Sequence, residues 1–239
     1  GETEFKVVEF NEENLEEKMR RIQIEVTGNE TDIADDLITL TIERPDLLPL
    51  TIVDLPGFIF QRIDDDGSNE SEISVTMRNL YTKFIAQEQN IVVCVLNAAN
   101  DIENSAVLKL CLELDTNRTR TVVVVTKIDL RTSAGYENYR KGAIKFKLRK
   151  LFFTRNKTDE ERIARVKSDQ VRETERKFIT GHKELSRFPD DMKGVVALRS
   201  YLVELQKELI VPSIRANYEK IVATLREKQK EQEEVGQTI

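Results

Sequence analysis

The sequence predicts an α/β fold in which a mostly parallel sheet is flanked by helices, with an antiparallel strand pair before it and bundle-type helices after it. Two short apolar runs, residues 91–96 (IVVCVL) and 121–126 (TVVVVT), do not alternate, which is typical of parallel strands buried on both faces. Residues 103–115 between them have apolar side chains at helical spacing, so the three segments predict a strand–helix–strand crossover. A chain of 239 residues is long enough for one such domain with a helical appendage.

The segments around this crossover complete the same fold class. An amphipathic helix is predicted over residues 11–24, and a further helix over residues 71–89 leads into the first buried run. Residues 37–42 and 50–54 are short, partly β-branched runs joined by a proline-bearing turn, which predicts an antiparallel strand pair. A helix predicted over residues 136–150 follows the second buried run and leads into the short apolar run that completes the sheet.

After residue 158 the pattern becomes helical and highly charged. Helices are predicted over residues 195–209 and 213–234, separated by Pro212, because proline is tolerated at the start of a helix but not in its interior. The second helix carries an apolar stripe that must pack against another surface. The stripe consists of Ile214, Tyr218, Ile221, Val222 and Leu225. We therefore predict one domain over residues 1–211 and the start of a helical bundle or stalk over residues 212–239.

Composition excludes several classes of function. A formal net charge of −6 argues against a nucleic-acid partner, because affinity for phosphate backbones comes mostly from clustered Lys and Arg. The two cysteines, Cys94 and Cys111, cannot form a disulfide framework and fit small core residues in a reducing compartment, which predicts a cytoplasmic location. The single histidine, His182, excludes histidine-rich zinc sites. No apolar run approaches the ~18–20 residues that cross a bilayer.

The first candidate site is the D-x-x-G motif of residues 54–57 (DLPG), at the end of the predicted strand LTIVD. Open α/β sheets bind ligands at the carboxyl edge of their strands. There Asp54 could hold Mg²⁺, directly or through water, and Gly57 could bring its backbone N–H close to a terminal phosphate. The alternative is a strand end followed by a Pro-Gly turn in which Asp54 is only solvated, and this motif by itself leaves both interpretations open.

The second candidate is T-K-I-D, residues 126–129, directly after the second buried run. Guanine offers two donors on one edge, and a fixed carboxylate such as Asp129 can accept from both, whereas adenine lacks that donor pair. A site built for those hydrogen bonds rejects adenine because its polar group would be left unpaired. Lys127 would lay its aliphatic stem over the base. A polar turn after a strand remains the alternative.

The third candidate is the 154–158 segment (TRNKT), which follows the apolar run 151–153. A loop here could lend a backbone N–H to guanine O6 and close the far side of the base with the side chains of Asn156 and Lys157. Asn and Thr are also ordinary loop and N-cap residues, so this segment is a weak signal by itself. A basic stretch at residues 141–150 suggests either a nucleic-acid or lipid-headgroup patch or, with more support, a solvated helix face.

The order of these elements resembles that of GTPase domains. Residues 31–130 in particular resemble the later part of a dynamin-superfamily GTPase domain, a P-loop-GTPase-like fold found in dynamins and Mx proteins. The matching segments are LTIVDLPG, NAANDIENSAVLKLCLELD and RTRTVVVVTKIDL. The resemblance is weaker towards the end of the chain, where residues 175–188 (ERKFITGHKELSRF) are similar to a later region of the family.

The resemblance implies GTP and GDP as ligands, Mg²⁺ as cofactor, and hydrolysis of GTP to GDP and phosphate. It assigns Asp54 to the metal and Gly57 to the γ-phosphate at the catalytic centre. The guanine-binding residues that it implies are Thr126, Lys127, Asp129, Asn156 and Lys157. It also implies self-association through GTPase domains and a helical stalk, and membrane remodelling from a cytoplasmic or peripheral membrane location.

The chain also departs from the family pattern. None of its nine glycines is followed by lysine, so the sequence contains no G-x-x-x-x-G-K-[ST] phosphate loop. Phe58 follows Gly57 where Ras-like proteins place a water-orienting Gln. We therefore expect that the chain begins inside the domain, after the phosphate loop and first switch, and that it is inactive alone. The alternative is a non-hydrolysing interaction module whose core displays the 213–234 stripe to partners.

Overall fold

The computed structural model of the chain describes residues 15–28, 37–43, 45, 50–57, 72–130 and 135–236. The chain divides into two compact units, residues 1–83 and 84–239. Helix α1 (Leu15–Thr27) of the first unit confirms the described part of the predicted N-terminal helix. Among the described residues, no helix combines the length and the apolar character that crossing a membrane requires.

The predicted antiparallel strand pair is not confirmed in the first unit. Residues 37–43 and 50–57, where they are described, form no strand ladder, and most of their apolar side chains are exposed. A two-stranded hairpin is marginal in water unless it has a further strand or a helix to pack on. Residues 11–14, Phe58 and most of the turn between the two runs lie outside the described residues.

The second unit contains the sheet. Helix α2 (Glu72–Ile85), most of which belongs to the first unit, precedes the sheet in sequence. Strand β1 (Val92–Asn97), helix α3 (Ala106–Leu114) and strand β2 (Thr121–Thr126) form the predicted crossover. The remaining elements are α4 (Tyr136–Lys145), β3 (Lys150–Phe153), α5 (Asp159–Ile163), α6 (Ser168–Gly181) and α7 (Gly194–Gly236). The three strands lie in the order β1-β2-β3, and both pairings are parallel, which confirms the prediction of a parallel α/β sheet.

Helices cover both faces of β2. On one face, Val122, Val124 and Phe152 pack against Leu205 and its neighbours on α7. On the other face, the Phe153 ring contacts Tyr136 and Tyr139 of α4 in edge-to-face geometry. All but the last residue of β2 are buried, as the non-alternating pattern predicts.

Strand β1 is buried on one face only, so the prediction that both its faces are covered is wrong. Val93 and Val95 are 41% and 57% exposed. They are in register with Val122 and Val124, and therefore lie on the α7 side of the sheet. Helix α7 packs over β2 and β3, and β1 is the strand farthest from β3, which leaves these two valines uncovered.

Helix α7 is continuous over Gly194–Gly236 with Pro212 inside it, so the predicted break at this proline is wrong. A proline in a helix interior removes one backbone hydrogen bond and costs about 3 kcal/mol. Residues of α7 before the proline, among them Leu198, Leu202 and Leu205, are anchored on the sheet. A helix whose first half is already anchored can continue past the lost hydrogen bond. The sequence pattern predicts a break because it does not include this packing.

Several smaller predictions concern side chains outside the candidate site. Cys94 and Cys111 are both free and buried, which confirms that they are core residues. In the basic 141–150 stretch, Lys145 pairs with Glu103 and Lys150 with Asp191, and this favours a solvated, charge-compensated face. The ring of His182 contacts that of Tyr136 edge to face, with 5.0 Å between the centroids, which gives it a structural role at the end of α6.

A buried ion pair lies at the amino-terminal end of β2. The Oδ2 atom of Asp115 accepts hydrogen bonds from the Arg120 and Thr121 backbone N–H groups and from the Thr121 hydroxyl, at 2.8–3.1 Å. The Arg120 guanidinium donates to the carbonyls of Ile85, Gln87 and Asn90 and lies 3.6 Å from Oδ1 of Asp115. These contacts fix the entry into β2 and tie it to the segment that follows α2.

We predict that Asp115→Asn lowers the free energy of unfolding by about 3–5 kcal/mol, because it leaves the buried Arg120 charge without its counter-ion. Urea unfolding followed by circular dichroism measures this change. Glu113→Gln, which changes an exposed carboxylate on α3, serves as the matched control and should shift stability by less than about 0.5 kcal/mol. An Asp115→Asn variant as stable as the control would contradict the assignment.

Candidate functional site

The carboxyl ends of the three strands meet at one edge of the sheet. The hydroxyl of Thr126, the last residue of β2, donates to the Leu96 carbonyl at 3.2 Å. The backbone carbonyl of Thr126 accepts from the Ala98 N–H at 2.9 Å. On the other side, the Thr154 N–H donates to the Val125 carbonyl at 2.8 Å. Backbone hydrogen bonds therefore continue beyond the strands and bring residues 97–98, 126–129 and 154–158 to the same edge.

The 127–129 turn is held by its one apolar residue. Ile128 is fully buried, and its carbonyl accepts a 2.5 Å hydrogen bond from the Tyr136 hydroxyl. Lys127 is exposed and has φ of 55°, in the left-handed region that non-glycine residues rarely occupy. Backbone strain of this kind, about 1–3 kcal/mol, persists only where the surroundings impose it. The anchoring of Ile128 thus sets the positions of both neighbours, Lys127 and Asp129.

Asp129 lies beside the 154–158 loop through a contact with Arg155. The Arg155 Nε atom is 3.5 Å from Oδ2 of Asp129, and its two terminal nitrogens each donate to Glu161 at 3.0 Å. The Arg155 side chain is 9% exposed and that of Asp129 is 20% exposed. One arginine thus orients the Asp129 carboxylate while leaving part of it open to solvent.

The far end of the loop is closed by a capping box. The Thr158 hydroxyl accepts from the Glu161 N–H at 3.2 Å, and the Glu161 carboxylate accepts from the Thr158 N–H at 3.0 Å, which starts α5. The Arg155 guanidinium, followed by the Thr158 N–H, holds the pKa of the Glu161 carboxyl below its usual value. Of the two predicted base-covering residues, Asn156 is exposed and Lys157 half-buried.

The two predicted phosphate-side residues, Asp54 and Gly57, lie in the first unit. Asp54 is exposed, and a side chain at Gly57 would meet no atom within 4 Å. The Pro56 carbonyl accepts a 2.6 Å hydrogen bond from the Tyr81 hydroxyl, which fixes the turn between them to α2. The roles of Asp54 at the metal and of Gly57 at the γ-phosphate therefore stay predictions.

Sequence reasoning did not single out the residues that carry most of these contacts. The Thr158–Glu161 spacing is a capping-box signature and could have been found. Glu175 occupies the apolar face of α6 between Val171 and Ile179, at four-residue steps, and a charged residue on such a face is also a signal. Arg155 carries no comparable signal, because its partner Asp129 is 26 positions away and only the sheet brings them together.

We predict that the Glu161 carboxyl titrates below its ordinary value of about 4.5. A group whose pKa is lowered by folding stabilises the native state above its ordinary pKa, and that contribution is lost as the pH falls through the folded-state value. Carbon-detected NMR of the side-chain carboxyl gives the midpoint directly. Arg155→Met should raise the midpoint towards 4.5, because it removes the main cause of the shift.

Arg172→Met is the matched control for this titration. It removes an exposed arginine on α6 that pairs with Asp169, and the Glu161 midpoint should stay where it is in the wild type. Equal midpoints in the wild type and Arg155→Met would show that Arg155 does not hold this carboxylate.

Comparisons with known proteins add independent information. A sequence model of the dynamin family matches residues 2–128. The interferon-induced GTP-binding protein Mx1 of Oncorhynchus mykiss is 30% identical over 230 residues, which is 93% of this chain and 36% of that protein. The interferon-induced GTP-binding protein Mx of Larimichthys crocea is 36% identical over 117 residues, which is 49% of this chain and 18% of that protein. The chain thus spans little more than a third of these relatives at most.

Proposed function

Because this chain belongs to the dynamin family, we propose that it forms part of a domain that binds GTP and hydrolyses it to GDP and phosphate. The observation that supports the proposal best is the position of Asp129. It follows a strand buried on both faces, lies 3.5 Å from Arg155 of the 154–158 loop, and is one-fifth exposed. A carboxylate that is oriented by the protein and still partly open is suited to a ligand with two adjacent donors.

We propose guanine as the base that this arrangement binds. Asp129 accepts from the N1–H and the exocyclic amine of guanine, and Arg155 limits the rotation of its carboxylate. Lys127 lays its aliphatic stem along one face of the base, while Thr126 holds the end of β2 to Leu96. Asn156 and Lys157 cover the other face from a loop whose two ends are fixed by Val125 and by the capping box of α5.

On the phosphate side we propose Asp54 as the metal-binding residue and Gly57 as the backbone donor to the γ-phosphate. Among the described residues, no group of three or more His, Cys, Asp or Glu side chains could hold a metal ion on its own. A single exposed carboxylate fits Mg²⁺ that arrives on a nucleotide, because this ion keeps several waters and is shared between one or two carboxylates and the phosphates. When bound, Mg²⁺ neutralises charge on the phosphate oxygens.

We further propose that these 239 residues alone hydrolyse GTP poorly, since the sequence has no G-x-x-x-x-G-K-[ST] motif. That motif supplies a lysine, a metal-binding hydroxyl and backbone donors, each charge-assisted contact contributing about 1.5–3 kcal/mol. Losing two or three of them lowers affinity by roughly 10³-fold or more. In the intact protein, GTP hydrolysis would move α7 as a stalk element and drive self-assembly and membrane remodelling from the cytoplasm or a membrane surface.

A non-hydrolysing interaction module is the second candidate. It is favoured by the exposed apolar side chains on the second half of α7, where Ile214, Tyr218 and Ile221 are each 62–67% exposed. Such a stripe would bind a partner helix without nucleotide. Phosphate release from GTP by a version of the chain extended upstream of Gly1 separates the two, because the module releases none.

Titrations with labelled GTP and ATP test the guanine site. We expect Asp129→Ala to weaken GTP binding by about 100-fold or more, because two charge-assisted hydrogen bonds are lost, and to leave ATP binding unchanged. The titrations are run on this chain and on the upstream-extended version. Asp159→Ala, which removes an exposed carboxylate near the same loop, is the control and should bind GTP as the wild type does. Equal binding of GTP and ATP by the wild-type extended version would contradict the assignment of Asp129 to guanine.

A further inference from the structure

Glu175 is a buried carboxylate, 4% exposed, that accepts hydrogen bonds from two distant parts of the chain. Its Oε1 atom accepts from the Arg155 N–H at 2.8 Å, in the loop that follows β3. Its Oε2 atom accepts from the Val195 N–H at 3.0 Å, in the first turn of α7. Each oxygen therefore holds one backbone donor, and the two donors are 40 positions apart in sequence.

The charge of Glu175 is stabilised by both of its neighbours. The first N–H groups of a helix have no partner within the helix and form its positive end. A carboxylate at the start of α7 is therefore favoured both as a hydrogen-bond acceptor and as a negative charge. Hydrogen bonds to a carboxylate are stronger than those to a neutral acceptor, and the two that Glu175 accepts offset the cost of its burial. Glu175 is thus held in place by the two segments that it connects.

Gly194 allows the close approach between α6 and α7. Its φ is +81°, and a Cβ at this position would lie 3.2 Å from Oε2 of Glu175. The left-handed backbone favours glycine here, and a Cβ would displace the Glu175 carboxylate by a few tenths of an ångström. The start of α7 therefore cannot shift towards α6 without disturbing the carboxylate that holds the Arg155 N–H.

Arg155 extends this contact to the candidate base site. Its backbone N–H is bound by Glu175, while its guanidinium contacts Asp129 and Glu161. The backbone and the side chain of Arg155 are therefore held by different partners. A ligand that repositions Asp129 or the 154–158 loop must act against a hydrogen bond to the same carboxylate that binds the start of α7.

We propose that Glu175 is a positioning residue that couples the 154–158 loop to the first turn of α7, so that occupancy of the loop and order at the start of α7 change together. The identity of the ligand as a guanine nucleotide rests on the proposed function, whereas the coupling between the two segments does not. Because such coupling is reciprocal, a perturbation at the start of α7 also acts on the loop.

Amide hydrogen exchange on the full chain, resolved by residue with NMR, tests the first half of the proposal. Glu175→Gln places an amide N–H₂ against one of the two backbone donors, which loses its hydrogen bond directly, while the other donor still faces an oxygen. With coupling, the Arg155 and Val195 amides should nevertheless both lose at least tenfold in protection. Glu173→Gln is the matched control on α6, since Glu173 pairs with Arg176 on the surface, and it should change neither amide. Loss of protection at only one of the two amides, or at neither, would overturn the proposal.

Gly194→Ala tests the coupling from the other side and keeps Glu175 in place should Glu175→Gln fail to fold. The added Cβ and the strained φ act at the start of α7, and the amide of Arg155 should exchange at least tenfold faster. Val196→Ala, which shortens an exposed side chain in the same turn, is the control. An unchanged Arg155 amide in Gly194→Ala would overturn the proposal.

GDP added to the upstream-extended version separates this proposal from the proposed function. With coupling, GDP raises protection at both Arg155 and Val195 in the wild type, and at Arg155 alone in Glu175→Gln. Absence of GDP binding by the wild type would overturn the proposed function, while the nucleotide-free exchange results would still decide the coupling. GDP binding that protects Arg155 and leaves Val195 unchanged in the wild type would overturn the coupling alone.

Discussion

The parallel pairing of β2 with a strand on each side is the constraint on which the rest of the second unit depends. Because β2 is central and its valines are in register with both β1 and β3, the residues after each strand must emerge at one edge. That register brings Asp129 within 3.5 Å of Arg155, although neither residue is near the other in sequence. A slip by one residue would exchange the α7-facing and α4-facing side chains of a strand and separate this pair.

A carboxylate–arginine pair lies at each end of β2, but the two pairs differ in burial and in their remaining hydrogen-bond partners. At its start, Asp115 and Arg120 are almost completely buried, and each makes further hydrogen bonds to backbone groups, which makes the pair a structural anchor. At its end, Asp129 retains exposure, and its partner Arg155 divides its donors between two carboxylates. A fully satisfied pair gives rigidity, whereas a pair with remaining acceptor capacity is able to take a ligand. The contrast agrees with ligand binding at the carboxyl edge of open α/β sheets.

Local patterns predicted most of the second unit because its strands and helices are each specified by nearby residues. The buried runs, the crossover helix and the turn after β2 fall where the sequence places them. The break at Pro212 failed because packing of the first half of α7 on Phe152 and its neighbours outweighs a local helix breaker. The prediction that both faces of β1 are covered is wrong for a related reason. Whether a strand face is covered depends on how far α7 reaches across the sheet. Candidate ligand contacts such as Asp129 could be proposed from motif chemistry, but Arg155 could not. Glu175 is noticeable in the sequence as a charge on an apolar helix face, but its partners, like that of Arg155, are set by tertiary structure.

We propose that one edge of the sheet is a guanine site. The most direct measurement is a map of amide chemical-shift changes on adding GDP, and separately ADP, to the isotope-labelled, upstream-extended version. We expect GDP to shift the amides of residues 126–129 and 155–157 at concentrations where ADP leaves them unchanged. GDP binding that leaves these amides unmoved, or shifts of equal size with ADP, would contradict it.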